Sequence, residues 1–396
     1  MRVSCGLTVL LNERRHLLEG ARLALFINHT SLTDSLRPSP LALNDLGLEV
    51  RVLLGPEHGL FGTHQDMEAV PAGRDPIFDL PVHSLYGSDV ESLAPPGDLL
   101  AEIDTIVFDI QDIGARYYTY LASLKKVMEM AARHQKRVIV CDRPNPIGGI
   151  AMEGNLVAPE FESFVGCGPL PNRHSLTAGE FALLFSAVLP ELDLHVSPMK
   201  GWRREMYFED TGLTWVAPSP NMPTPKTALV YPGMCLLEGT NVSEGRGTTR
   251  PFELFGAPFV SPRALVDKLE SAKLPGVRFR PTLFRPMFQK YAGLTCGGAA
   301  IHVTERTRFR PVLTGLTVLA ALHALHPHDF QWRHETYEYV SHLPAIDLLA
   351  GGSAWRRGIE NGRDPQRLLE ECRADLDSFT HRVRKILLYD SEEWPQ

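Results

Sequence analysis

Short, nearly all-apolar runs alternate with longer amphipathic ones through the first half of the chain. "ARLALFIN" (21–28), "EVRVLLG" (49–55), "TIVFDI" (105–110) and "KRVIVCD" (136–142) read as buried strands. Between them, 35–46 can form a helix and "YYTYLASLKKVMEMAARH" (117–134) has helical periodicity. Continuous apolar strands alternating with helices imply a parallel sheet covered on both faces. Thr177 and Glu180 have the spacing of a capping box and open a further helix. The four prolines of "APSPNMPTPKT" (217–227) suit neither a helix interior nor a central strand, and mark a seam.

Beyond the seam the pattern becomes α+β. "SPRALVDKLESA" starts a helix with Pro in its first turn. Strands are expected at 277–284 and 299–304, a long helix near 311–325, and a last helix from Asp364 to about Tyr389. The expected architecture is α/β: a Rossmann-like, mostly parallel sheet domain over 1–227, then a smaller α+β domain over 228–396. A chain of 396 residues exceeds one ordinary core, in keeping with two domains.

Composition narrows the function class. The fractions of 44% apolar and 22% charged residues are those of a globular protein, and a net charge of −7 argues against nucleic acid as partner. The six cysteines include no C-x-x-C pair, so neither a disulfide framework nor a zinc site is indicated. No apolar run reaches membrane-spanning length, and the opening "MRVSCGLTVLLNERRH" makes a poor signal peptide, so a cytoplasmic location is expected.

Ligands of open parallel sheets bind beyond the carboxyl ends of the strands. Three strands here end in polar clusters. The second leads to Glu57 and His58, the third to Asp109, Gln111, Asp112, Arg116 and Tyr118, and the fourth to Asp142, Arg143 and Asn145. Dinucleotide, phosphate-loop, metalloprotease and serine-elbow motifs are all missing, so no cofactor and no metal is expected. Carboxylates, arginines, amides and aromatic rings remain, which is equipment for handling a sugar. The segment "LEGTNVSEGRGTTRPFE" (237–253) adds three glutamates, two arginines and three glycines in one loop.

The segments "GPEHGLFG", "LPVHSLYG", "VFDIQDIGARYYTYLASL", "CDRPNPIGG", "SFVGCGPLPNRHSLTAGE" and "PSPNMPTPKTALVYPGMCLLEGTNVSEGRGTTRPFELFGAP" together resemble the NamZ-type exo-β-N-acetylmuramidases. That likeness spans nearly the whole chain. It implies a Rossmann-like domain, a smaller C-terminal domain and an active cleft between them, acting on terminal N-acetylmuramic acid of peptidoglycan fragments. Glu57 is then the leading catalytic candidate, as a general acid, with Glu153, Asp109 and Asp112 competing to assist and His58 placed to tune it. A planar guanidinium recognises the lactyl carboxylate of muramic acid bidentately, and Arg116, Arg143, Arg173 and Arg246 are the candidates. Gln111, Tyr118, Asn145, His174, Asn221, Glu238, Asn241 and Glu244 complete the expected binding set. Ser175 departs from the resemblance, standing after "RH" where glycine is expected. A hexosaminidase of other specificity and a non-catalytic muropeptide-binding protein are the competing readings.

Overall fold

The protein, as a computed structural model, is described over residues 2–390. Its first sheet has seven strands: β1 (Leu23–Ile27), β2 (Val50–Gly55), β3 (Gly73–Arg74), β4 (Pro81–Ser84), β5 (Thr105–Asp109), β6 (Arg137–Cys141) and β7 (Asp193–Ser197). Their order is β3-β4-β2-β1-β5-β6-β7, all parallel except the short β3 edge. β1, β2, β5 and β6 coincide with the strands expected from the apolar runs. β3, β4 and β7 were not expected, since they flank the central strands and are only partly buried, without a continuous apolar run.

Alternation along the central strands divides the interior into two layers. Ala24, Phe26, Ile106, Phe108, Val138 and Val140 point to one face. Leu23, Leu25, Ile27, Val107, Ile139 and Cys141 point to the other, under the helix Gly6–Glu13. The first cluster does not stop at the seam, because it continues through Tyr118, Tyr231 and Phe252 to Leu316 and Phe379. The two halves therefore share one apolar core.

The second half carries an antiparallel sheet of β8 (Leu254–Ala257), β9 (Val277–Phe284) and β10 (Cys296–Val303), in the order β8-β10-β9. Its central helix, Pro311–Leu325, is buried nearly all round. It crosses the helix Pro225–Met234 backbone to backbone. A Cβ on Gly233 would stand 1.8 Å from the Pro311 carbonyl oxygen, and one on Gly315 would stand 2.2 Å from that of Gly233. Only glycine fits at that crossing.

Three boundaries differ from expectation for local reasons. The helix expected over 35–46 is confined to Ser39–Asn44, because Pro38 and Pro40 fix where it can begin. The proline seam ends in a helix: Thr224 caps Pro225–Met234, with Pro225 in the first turn, where its missing N–H is harmless. The last helix is broken into Pro365–Glu370 and Arg373–Val383, because the Cys372 N–H bonds Leu369, three residues back, in a tighter turn. The capping box forms as expected, with both Thr177 and Glu180 bonds present. Among the described residues, no helix is long and apolar enough to cross a membrane.

Candidate active site

Strand register sets the polar clusters level. Phe26 of β1 pairs with Leu54 of β2 and Phe108 of β5, and Phe108 with Val140 of β6. The residues that follow these strands emerge at one carboxyl edge. The chain winds from β1 to β2 and β4 on one side and returns as β5 on the other, so the switch point lies at β1 and β5.

Much of that edge satisfies itself. Arg143 grips Asp109 in a bidentate pair at 2.6 and 2.9 Å and also donates to the Leu32 carbonyl. Gln111 donates to the carbonyls of Asp112 and Pro144, and Asn145 donates to that of Leu176. Asp112 accepts from the Gly114 N–H, and the fully buried His174 stands 3.6 Å from it. These groups hold the loops together.

A pocket opens beside them, between the halves. Glu57 and His58 line it from the turn after β2, with Tyr118, Thr119 and Tyr120 from the start of the helix Tyr120–Arg133. Ser219 and Asn221 come from the proline seam, and Tyr231, Glu238, Arg246, Phe252, Tyr337 and Glu338 from the second half. Glu57 is buried and accepts on both oxygens, from the Thr119 hydroxyl at 2.6 Å and the Met67 N–H at 3.4 Å. His58 has φ +68° and donates from Nδ1 to the His64 carbonyl at 3.0 Å.

The opposite wall is a charge cluster. Arg246 bonds Glu238 at 2.9 Å and Asp66 at 3.1 Å, and lies 5.1 Å from the centre of the Phe252 ring. Glu238 also accepts from the Tyr337 hydroxyl at 2.7 Å. Burial pushes its carboxyl above the usual range, opposed by the charge of Arg246. Glu244 is tied to Lys290 at 2.9 Å behind this wall. Burial raises the phenols of Tyr117, Tyr118, Tyr231 and Tyr337 well above their ordinary range, so the walls are neutral aromatic surfaces with polar tips.

Glu338 was not singled out by the sequence. It lies in a two-residue hairpin turn, where Tyr337 and Val340 exchange both backbone bonds at 2.9 Å. The central residues, Glu338 and Tyr339, have φ +44° and +68°. Such turns ordinarily take Asn-Gly, and "YEYV" offers no such signal. Glu338 accepts from the Tyr86 hydroxyl at 3.0 Å. Burial and then the charge of Glu57 push its carboxyl well above the usual range.

Comparison with known proteins identifies the family. The family described as "Exo-beta-N-acetylmuramidase NamZ, N-terminal" matches residues 23–226, and its C-terminal counterpart matches 229–389. The chain belongs to the NamZ family. It is 40% identical over 390 residues to the peptidoglycan β-N-acetylmuramidase NamZ of Bacillus subtilis strain 168, covering 98% of this chain and 92% of that one. A DUF1343 family protein of Bacteroides fragilis superposes with TM-score 0.87 at 33% identity, over 98% of this chain and 99% of that one. A second, at 24% identity and TM-score 0.76, covers 99% and 100% and shares the fold.

Of the site residues expected from sequence, Glu57, His58, Tyr118, Asn221, Glu238 and Arg246 line the pocket of this NamZ-family chain. The others do not. Both oxygens of Glu153 accept the N–H groups of Val312 and Leu313 at 3.1 Å, so this acid seats the N-terminus of the central helix. Arg116 donates to the carbonyls of Asn155, Leu170 and Leu349, fastening the halves together, and burial lowers its pKa to about 10. Arg173 donates to the Ile147 carbonyl. Asn241 bonds Asp329 and Gln331 at the surface. Ser175, the departure after "RH", has φ +61°, which glycine would adopt without strain; its hydroxyl donates to the Ala151 carbonyl at 2.6 Å.

Proposed function

We infer that this chain is an exo-β-N-acetylmuramidase that releases N-acetylmuramic acid from the non-reducing end of peptidoglycan fragments, in cell-wall turnover. Membership of the NamZ family supports the reaction class, and one observation carries the site. The Glu57 carboxyl is buried at the carboxyl edge of the parallel sheet, in a pocket walled by tyrosines and closed by Glu238, Arg246 and Glu338. Buried carboxyls within reach of a glycosidic bond are what glycoside hydrolysis requires. Aromatic rings suit the apolar face of a sugar, and Asn221 and Ser219 suit its hydroxyls.

The lactyl carboxylate sets muramic acid apart from glucosamine, and Arg246 is the group for it. It alone among the four arginine candidates faces the pocket, and its fork is already turned to carboxylates on Asp66 and Glu238. A substrate carboxylate would take the place of Asp66, whose other oxygen is held by Gln289 at 2.8 Å.

The test is chromogenic. The purified protein is incubated with para-nitrophenyl N-acetylmuraminide and, in parallel, with the N-acetylglucosaminide. Release from the first and little from the second is expected. Equal release from both would replace the proposed specificity with a general hexosaminidase. Binding of the muraminide without release would leave a binding protein in its place.

A further inference from the structure

Glu338 occupies a position that the turn chemistry of its segment does not favour. Two consecutive non-glycine residues in the left-handed region are strained, and they persist only where the surroundings enforce them. Here the result is a buried carboxyl close to Glu57 whose one donor among the described residues is the Tyr86 hydroxyl. Among the described residues neither glutamate forms an ion pair, whereas Glu238 on the same wall does. Glu338 also lines a second depression, a surface groove formed with Leu93, Phe164 and Tyr339. It stands at the junction between the pocket and that groove.

We propose that Glu338 is the proton donor of the reaction, acting on the glycosidic oxygen of a sugar whose muramic ring fills the pocket and whose leaving part lies in the groove. The proposal rests on the muramidase reading and reverses the general-acid role expected for Glu57. Glu57 accepts on both oxygens, from the Met67 N–H and the Thr119 hydroxyl, and is the acceptor of the pair. As the bond from C1 to the bridging oxygen breaks, its electron pair leaves with that oxygen, which takes the Glu338 proton. Water adds at C1, and its released proton returns to the carboxyl pair, which ends with one proton on two groups as it began. Two neighbouring acids in unlike surroundings are the usual basis for such a division. The raised Glu338 carboxyl agrees with it.

The groups facing Glu338 are Glu57 and Asp66 from the first half, Tyr86 after β4, Glu238 and Tyr337 from the second half, and Tyr339 in its own turn. The test is Glu338→Gln, assayed on N-acetylmuramyl-β-1,4-N-acetylglucosamine and on the para-nitrophenyl muraminide. General acid catalysis contributes roughly 10²–10⁴-fold. A loss of at least about a hundredfold is expected on the disaccharide and a much smaller one on the aryl substrate, whose leaving group needs little protonation. The basic limb of the kcat/KM profile should vanish on the aryl substrate. Equal slowing of both substrates, or none, overturns the proposal.

If Glu338→Gln fails to fold, Tyr86→Phe decides. The lost hydroxyl stabilised ionised Glu338, so the acid stays protonated to higher pH and the basic limb moves up. An unmoved limb is the contrary result. Inactivity of the wild type on both muramides would overturn the muramidase reading and this proposal with it. An active wild type with an unaffected Glu338→Gln overturns the proposal alone.

Discussion

Asp109 and Glu57 both follow buried strands of one sheet, and both are buried acids, yet they have opposite surroundings. Asp109 is held by the Arg143 fork at 2.6 and 2.9 Å, so burial, which raises its carboxyl, is opposed by a full positive charge. Glu57 meets a hydroxyl, an amide and a second acid and, among the described residues, forms no ion pair. The first arrangement is closed, since every oxygen has a partner that stays put. The second is a buried acid without an ion-pair partner at a cavity wall, which stability alone does not favour. Position at the sheet edge selects candidates, but pairing separates scaffold from chemistry.

The sharpest way to break this comparison is to open the closed pair. Removing one partner of a buried ion pair strands the other, at about 3–5 kcal/mol. Arg143→Ala should therefore show a large fall in unfolding free energy by urea titration. A loss under 1 kcal/mol would mean that the pair carries no structural weight.

Next in size is the open acid. Glu57→Gln keeps the shape and removes the carboxyl, and should reduce muraminide turnover by on the order of a hundredfold or more. Its melting temperature should stay close to that of the wild type, because no ion pair is lost. Unchanged turnover would move the site elsewhere.

Arg246 lies between the two cases, being paired and pocket-facing at once. A lost charge-assisted contact costs about 1.5–3 kcal/mol, roughly tenfold to a hundredfold. Arg246→Ala should lower kcat/KM on the muraminide by that factor, chiefly through KM, and narrow the gap to the N-acetylglucosaminide. If the two substrates suffer equally, Arg246 does not read the lactyl group.

The scaffold was legible because apolar runs such as "LALFI" and "RVIVC" allow little besides a buried strand. Glu57 was legible because it follows such a strand through Gly55-Pro56, and Arg246 because its glycine-rich loop had no purely connecting role. Arg116 and Arg173 misled, since their partners are mostly backbone carbonyls, which every sequence has everywhere, and Arg143 because its fork is taken by Asp109. Glu338 escaped notice because its turn uses Glu-Tyr where glycine or asparagine would have announced it. Asp66 reaches Arg246 across 180 residues, a separation that no local pattern encodes.

The smallest effect, and the most exacting test of the pairing criterion, concerns Glu153. It is buried and its carboxyl is raised, which alone would suggest a general acid. Its two oxygens, however, accept the first free N–H groups of the helix Pro311–Leu325, and Arg310 stands 3.4 Å away. That is an anion at a helix N-terminus, where the macrodipole favours it. Glu153→Gln retains one acceptor and turns an amide donor towards the other N–H, leaving it unsatisfied. The expected loss is about 1–2 kcal/mol of stability, with turnover per folded molecule unchanged. The same preparation should be measured by thermal melting and by muraminide release. A variant that melts normally but has lost a hundredfold in rate would make Glu153 part of the chemistry, and pairing would then fail to distinguish the two kinds of acid.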